Sequence, residues 1–242
     1  MEKAIYTAMS GAEHALQAQQ IHANNLANAG TTGFRADFER VQAYQLQGDT
    51  LGARVLAQEL PGGTNFSTGA LSETGRNLDV AIQGSGYLTV ATPEGGEAYT
   101  RAGDLTVNAD GRLTLHGNAV MGEGGEIEVP DYRDIKIGQD GTVSITPAGS
   151  GAQQVVGKLK LVDPDPSLLT KNTQGLLQLT DGSQAAADTT VQLESGFLEG
   201  SNVNPIDELI SSMSLTRSFE LQVKLMESSD SQAKQGNELI SG

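Results

Sequence analysis

Residues 204–226 read NPIDELISSMSLTRSFELQVKLM, and the kind of protein this chain makes turns on that stretch. Asn204 can cap a helix, Pro205 suits the first helical position, and Asp207 and Glu208 place negative charge in the first turn. From Ile206 to Ile240 there is no Pro and a single Gly, Gly236. Leu209, Ser212, Thr216, Phe219, Val223, Met226, Ala233 and Ile240 form a heptad-type seam with polar interruptions at Asp230 and Asn237. Ile210, Met213, Leu215, Leu221 and Leu225 lie off that seam, so the apolar residues go nearly all the way round the helix. A helix apolar on every side is a buried helix, and one partner helix cannot cover it. The surplus apolar surface asks for neighbouring molecules.

The other end of the chain reads as the available partner. Ile5, Met9, Ala12, Leu16, Gln19, Ala23 and Leu26 follow alternating four- and three-residue steps, a seam rich in small residues that permits close helix packing. Asn28, Gly30 and Gly33 end the pattern. Asn24, Asn25 and Asn28 can cap the helix end and bond neighbouring backbone. Gly33 permits positive φ where the chain turns, and Phe34 can anchor the exit by packing. An ordinary helix cap and loop would use the same residue types.

Between the two flanks the composition changes. Of 30 Gly, 25 fall between Gly48 and Gly200. The chain carries a formal net charge of −15, most of it in this middle. Short period-two runs recur there: Leu105/Val107, Leu113/Leu115, Ile127/Val129, Ile135/Ile137 and Val143/Ile145. Asn108–Gly111, Asp140–Gly141 and Asp181–Gly182 supply turn chemistry, and Lys158 to Leu161 alternates as a half-buried strand that Asp163-Pro164-Asp165-Pro166 stops. No helical pattern alternates with these runs, which disfavours a parallel sheet. The expected fold is α+β, with N- and C-terminal helices forming a helical-bundle assembly domain around a central, mostly antiparallel β domain. The expected division is 1–35 with 201–242 as helical assembly domain, 36–75 as connecting segment, and 76–200 as β domain.

Chemistry is sparse. With no Cys there are no disulfides, thiolate metal sites or Cys nucleophiles. A surface this acidic repels nucleic acid and anionic lipid. His14 and His22 stand two turns apart with no carboxylate pattern to complete a site, and His116 is isolated. Asn108, Asp110 and Gly111 resemble part of a calcium loop but lack the downstream bidentate acid. Gly84-Ser85-Gly86 lacks the third glycine of a dinucleotide fingerprint. No cofactor, no metal and no catalytic residue is expected. A glycosidase-type carboxylate pair among the scattered acids stays open, as does a secreted β-rich binding module. Met1 to Leu16 has no basic region followed by an apolar core, so no cleavable secretory signal is expected.

Three stretches together resemble the rod and hook axial proteins of the bacterial flagellum. Asn24-Asn25-Leu26-Ala27-Asn28-Ala29-Gly30-Thr31-Thr32-Gly33-Phe34-Arg35 is similar to that family's N-terminal rod motif. Gly75-Arg76-Asn77-Leu78-Asp79-Val80-Ala81-Ile82-Gln83-Gly84-Ser85-Gly86-Tyr87 resembles its central segment, together with Tyr99-Thr100-Arg101-Ala102-Gly103 and Asp110-Gly111-Arg112-Leu113. Gly196-Phe197-Leu198-Glu199-Gly200-Ser201-Asn202-Val203-Asn204-Pro205 opens the C-terminal helix as in the family, with Arg217-Ser218-Phe219-Glu220 inside it. Length excludes the family's short rod proteins and its much longer hook protein, and the opening Ala4 to Ala12 and the Gly84-to-Leu88 stretch resemble the proximal-rod branch more than the distal one. The resemblance implies a structural subunit of an open helical tube, not an enzyme. Its partners would be self-copies, proximal and distal rod proteins and the flagellar export apparatus. Its place would be the periplasmic rod, reached without a cleaved signal. The candidate assembly residues are Ile5, Met9, Leu16, Asn24, Asn25, Leu26, Asn28, Gly33, Phe34, Leu209, Met213, Phe219, Val223 and Met226.

Overall fold

The computed structural model describes residues 2–45, 55–149 and 151–241. It holds a long helix at each end and antiparallel strands between them, the α+β arrangement expected from the sequence. The chain forms two compact units. One comprises Met1–Ala29, Ala36–Asn65 and Val203–Gly242; the other comprises Gly30–Arg35 and Phe66–Asn202.

In the first unit, helix α1 (Glu2–Ala27) packs antiparallel on helix α2 (Pro205–Ser241). The direction follows from the pairs they make, Gln19 with Thr216 and His22 with Glu208. Helix α2 starts as its sequence dictates, with the Ile206 N–H donating to Asn204 Oδ1 at 3.1 Å. Among the described side chains of α1, the fully buried apolar ones are Ala12, Ala15 and Ala18. Gly11 lies against Gln222 of α2. Residues this small let the helix backbones approach closely. The packed stripe therefore runs through Gly11, Ala15, Ala18, His22 and Asn25, one position ahead of the seam expected from spacing. Of that expected seam, Ala12 is buried and Ile5 and Gln19 are half-buried, while Met9, Leu16, Ala23 and Leu26 are exposed. On α2, Leu215, Phe219, Val223 and Met226 are half-buried, and no described side chain of this helix is fully buried. The side chains of Ala233 and Ile240 lie outside the described residues.

The segment 36–75, expected only to connect, contains a long two-stranded ribbon, β1 (Asp37–Gln45) paired with β2 (Val55–Thr64) and irregular at Phe38/Arg40. It belongs to the helical unit. Residues 46–54 of that segment lie outside the described residues. Pro61-Gly62-Gly63 within β2 are poor strand formers, which hid the ribbon from a pattern reading.

The second unit is built around a five-stranded antiparallel sheet ordered Leu161–Val162, Tyr87–Ala91, Glu97–Thr100, Leu177–Leu179 and Leu169–Lys171. Alternation along Tyr87-Leu88-Thr89-Val90 sends side chains to both faces, and all four are buried. Leu88 and Val90 join Val80, Leu105, Leu113, Val143 and Leu193 in the main core; Tyr87 joins Tyr99, Val162 and Leu177 in a second cluster. The turns expected at Asn108–Gly111 and Asp140–Gly141 close hairpins, and Gly111 and Gly141 take positive φ there. Lys158 to Leu161 is not one strand. Leu159 and Leu161 are buried in alternation, but the chain crosses from the sheet of Gln154–Lys158 to that of Leu161–Val162.

Because no described side chain of α2 is completely buried, its amides should exchange at lower free energies than those of Leu88, Val90, Leu113 and Val143. Native-state hydrogen exchange on the monomer checks this; equal protection in helix and core would contradict it.

Candidate assembly surface and its anchor

The two terminal helices carry most of the exposed apolar surface. Of fourteen large apolar side chains exposed among the described residues, ten lie on α1 and α2. On α1 these are Tyr6, Met9, Leu16 and Leu26; on α2 they are Ile206, Leu209, Ile210, Met213, Leu221 and Leu225. At about 100° per residue, the α2 set occupies the side opposite Glu208, Leu215 and Gln222. That exposed side carries six large apolar side chains, with Arg217, Glu220 and Lys224 among them, and α1 packs on the opposite side. Leu225, 63% exposed, lies at one edge of the uncovered side, and Ile206 and Ile210 lie near its middle.

Polar residues hold the helix pair in register where α1 ends. Asn25 is 1% exposed. Its amide grips the backbone of Asp37 twice: Nδ2 donates to Asp37 O at 2.8 Å, and Asp37 N donates to Oδ1 at 2.9 Å. Asn25 Nδ2 also donates to Glu208 Oε1 at 3.2 Å, and the other Glu208 oxygen meets His22 Nδ1. One turn of α1 thus fixes both the entry to β1 and the first turn of α2. Asn28 closes the helix end, its Nδ2 donating to Asn24 O at 2.9 Å, while the Asn24 side chain is exposed. His14 meets Glu39 on β1 in the same unit.

The second unit anchors the segment that follows the α1 end. Gly33 N donates to Glu199 O at 2.8 Å, and Asn202 N donates to Phe34 O at 3.3 Å, so Gly33–Arg35 lies along the 199–202 backbone. Gly33 has φ +66, and a Cβ there would stand 2.0 Å from Ala102 N. Only glycine fits. Lys171 Nζ sits 4.2 Å from the centre of the Phe34 ring and donates to Arg35 O at 2.7 Å. These contacts put residues 30–35 with the β unit, whereas the sequence grouping placed them with the helices.

Glu199 lies at the centre of this anchor, 1% exposed. It accepts from Arg35 Nη2 at 2.6 Å, from Gly69 N at 2.8 Å and from Arg101 Nη1 at 3.0 Å. Arg101 also donates to Gly84 O at 2.5 Å and lies over the Tyr87 ring at 5.4 Å. Burial pulls the Arg101 guanidinium down from its usual pKa range, an effect Glu199 opposes, and burial pushes the Tyr87 phenol up. Spacing gives no sign of this cluster, because its members are 98 and 164 residues apart. Each does fall inside one of the three stretches that carry the flagellar resemblance.

Elsewhere the acids form turns. Asp181 accepts from the Ser183 hydroxyl and backbone, and Asp140 from those of Thr142, which holds both carboxyls below the usual range. Among the described residues no group of three or more His, Cys, Asp or Glu could hold a metal ion. No helix among the described residues is long and apolar enough to cross a membrane.

Comparison with known proteins agrees with this geometry. Three family models match: Flagella basal body rod protein over residues 5–35, Flagellar hook protein FlgE/F/G D1 domain over 81–145, and Flagellar basal body rod FlgEFG protein C-terminal over 194–239. The chain is 40% identical to the flagellar basal-body rod protein FlgF of Salmonella typhimurium, covering 100% of this chain and 99% of the relative. The FlgF of Escherichia coli K12 gives the same identity and coverage. A FlgG, from Bacillus subtilis, is 34% identical over 95% of this chain and 96% of its own. The chain belongs to the flagellar basal-body rod protein family. In this rod protein the N-terminal model ends at Arg35, the residue that delivers the motif to Glu199.

Removing one partner of a buried ion pair leaves the other charge stranded, at a cost of about 3–5 kcal/mol. Glu199→Gln should therefore lower the unfolding free energy of this rod protein by about that much in a urea titration. Glu194→Gln, on a carboxylate bonded to Gln83 at the surface, should change it by less than about 0.5 kcal/mol.

Proposed function

We propose that the chain is a structural subunit of the flagellar proximal rod, polymerising through its terminal helices into the tubular shaft that transmits torque. The observation that carries this reading is the apolar side of α2, exposed in a chain whose relatives are named basal-body rod proteins. Exposed apolar patches of this extent mark sites of protein association. Repeated on every copy and covered by a different surface of the next, such a patch makes heterologous contacts, which build open helices when they do not close.

The neighbours are self-copies and other rod proteins, proximal and distal. Met9, Leu16, Leu26, Leu209 and Met213 face them, joined by Tyr6, Ile206, Ile210, Leu221 and Leu225, which heptad spacing alone left aside. Ile5, Phe219, Val223 and Met226 are half-buried within the helical unit and support the surface from beneath. Asn25, Asn28, Gly33 and Phe34 set how the chain leaves α1. The subunit reaches the periplasmic rod through the flagellar export apparatus, without a cleaved signal, and catalyses nothing. The FlgF matches at 40% identity over the full chain favour the proximal over the distal position.

Leu225→Asp and Met213→Asp should each abolish rod incorporation and swimming in a strain dependent on this protein. Both side chains are exposed in the single chain, so the unfolding free energy from a urea titration should stay within about 0.5 kcal/mol of wild type. Burying either carboxylate without a partner between subunits costs several kcal/mol. Normal motility with both substitutions combined would remove the exposed side of α2 from the interface.

A further inference from the structure

Resting on the reading of the exposed side of α2 as the subunit interface, we propose that its occupant is α1 of a second copy of this chain, with Glu13 of one copy seated between Arg217 and Lys224 of the next. Glu13 is the single Asp, Glu, Lys or Arg between Ala4 and Phe34. It is exposed, and at about 100° per residue it stands opposite the packed stripe of Gly11, Ala15, Ala18 and His22. Tyr6, Met9 and Leu16 flank it, so the outward side of α1 is apolar around one carboxylate. The outward side of α2 is apolar around two cations. Arg217 and Lys224 are exposed on the line of Ile206 and Ile210, while Glu220 and Glu227 lie toward its Leu209 edge. No ion pair among the described residues engages Glu13, Arg217 or Lys224.

The register of the helix pair sets these groups at one height. Gly11 lies against Gln222, and Gln19 Nε2 donates to Thr216 Oγ1 at 3.4 Å. In the antiparallel pair Glu13 therefore stands level with Glu220 and Leu221, midway between Arg217 and Lys224. The packed sides of the two helices face each other, so the outward sides point away from each other and cannot meet within one chain. Two copies side by side bring them together, the acid against the cations inside an apolar contact. Such a head-to-tail contact leaves α1 free on one copy and α2 free on the other, where further copies add. The like-with-like contacts are poorer. Packing α1 on α1 opposes Glu13 to itself, and packing α2 on α2 is self-complementary and closes as a dimer.

The test combines disulfide linkage in purified basal bodies with charge reversal in a strain dependent on this protein. Gln20→Cys with Met213→Cys places two exposed thiols on the opposed outward sides of a chain that has no other cysteine. Oxidation should link them between copies, giving dimers and higher multimers of this chain on a non-reducing gel, and neither single variant should link. Glu13→Lys should lower rod incorporation at least about tenfold, as should Arg217→Glu with Lys224→Glu, because like charges then meet. All three reversals together should restore it. Each purified variant should unfold in urea as wild type does, since these side chains are exposed in the single chain. Unchanged incorporation after either reversal, or a loss that the triple variant does not restore, would overturn the proposal. Absent multimers would overturn it too. If Leu225→Asp still blocks incorporation in that case, α2 remains the interface and its occupant is a different rod protein; if Leu225→Asp incorporates normally, the reading of α2 falls as well.

Discussion

Helix α2 has more apolar surface than its own chain can cover. Its sides through Leu215 and Phe219 pack in the helical unit, and the side through Ile206, Ile210, Met213, Leu221 and Leu225 does not. Burial is worth about 25 cal/mol per Å² of apolar area, so a whole exposed helix side is a strong drive to associate. The small residues of α1 sharpen the effect. Gly11, Ala15 and Ala18 let the helices approach closely, which turns Met9 and Leu16 outward instead of into the pair.

A surface that binds neighbours must also be held in one orientation, and polar groups do that here. Asn25 spends its whole amide on Asp37 and Glu208, tying α1, β1 and α2 together at one point. In the β unit, Glu199 gathers Arg35, Arg101 and Gly69. A buried ion pair of this kind is weak ground for stability, since apolar residues could fill the space as well. What it fixes is the path of residues 33–35 along the 199–202 backbone within the β unit.

The sequence showed the helix ends, the antiparallel middle and the turn glycines, because caps, period-two alternation and Asp-Gly pairs act over a few residues. It also showed that α2 was too apolar to be satisfied at home. It misplaced the packed stripe of α1 by one residue, since heptad spacing weighs Leu16 above Ala15 although the smaller side chain permits the closer approach. The ribbon of β1 and β2 stayed hidden behind Pro61-Gly62-Gly63, and the Lys158-to-Leu161 alternation concealed a change of sheet. The Glu199 cluster lies across distances no local pattern spans. It was legible only as three stretches resembling one family.

The absence of cysteine from the chain allows a direct test of the claim that the uncovered side of α2 is the subunit interface. Single cysteines at Leu225, Met213 and Gln174 would be labelled with a small maleimide, first in the monomer and then in purified basal bodies. All three positions are exposed in the single chain. Leu225→Cys and Met213→Cys should lose most of their labelling rate on assembly while remaining fully reactive in the monomer. Gln174→Cys, in the β unit, serves as the reference for intact reagent access. If the two α2 cysteines react in assembled basal bodies as fast as in the monomer, the interface lies elsewhere and the account of α2 is wrong.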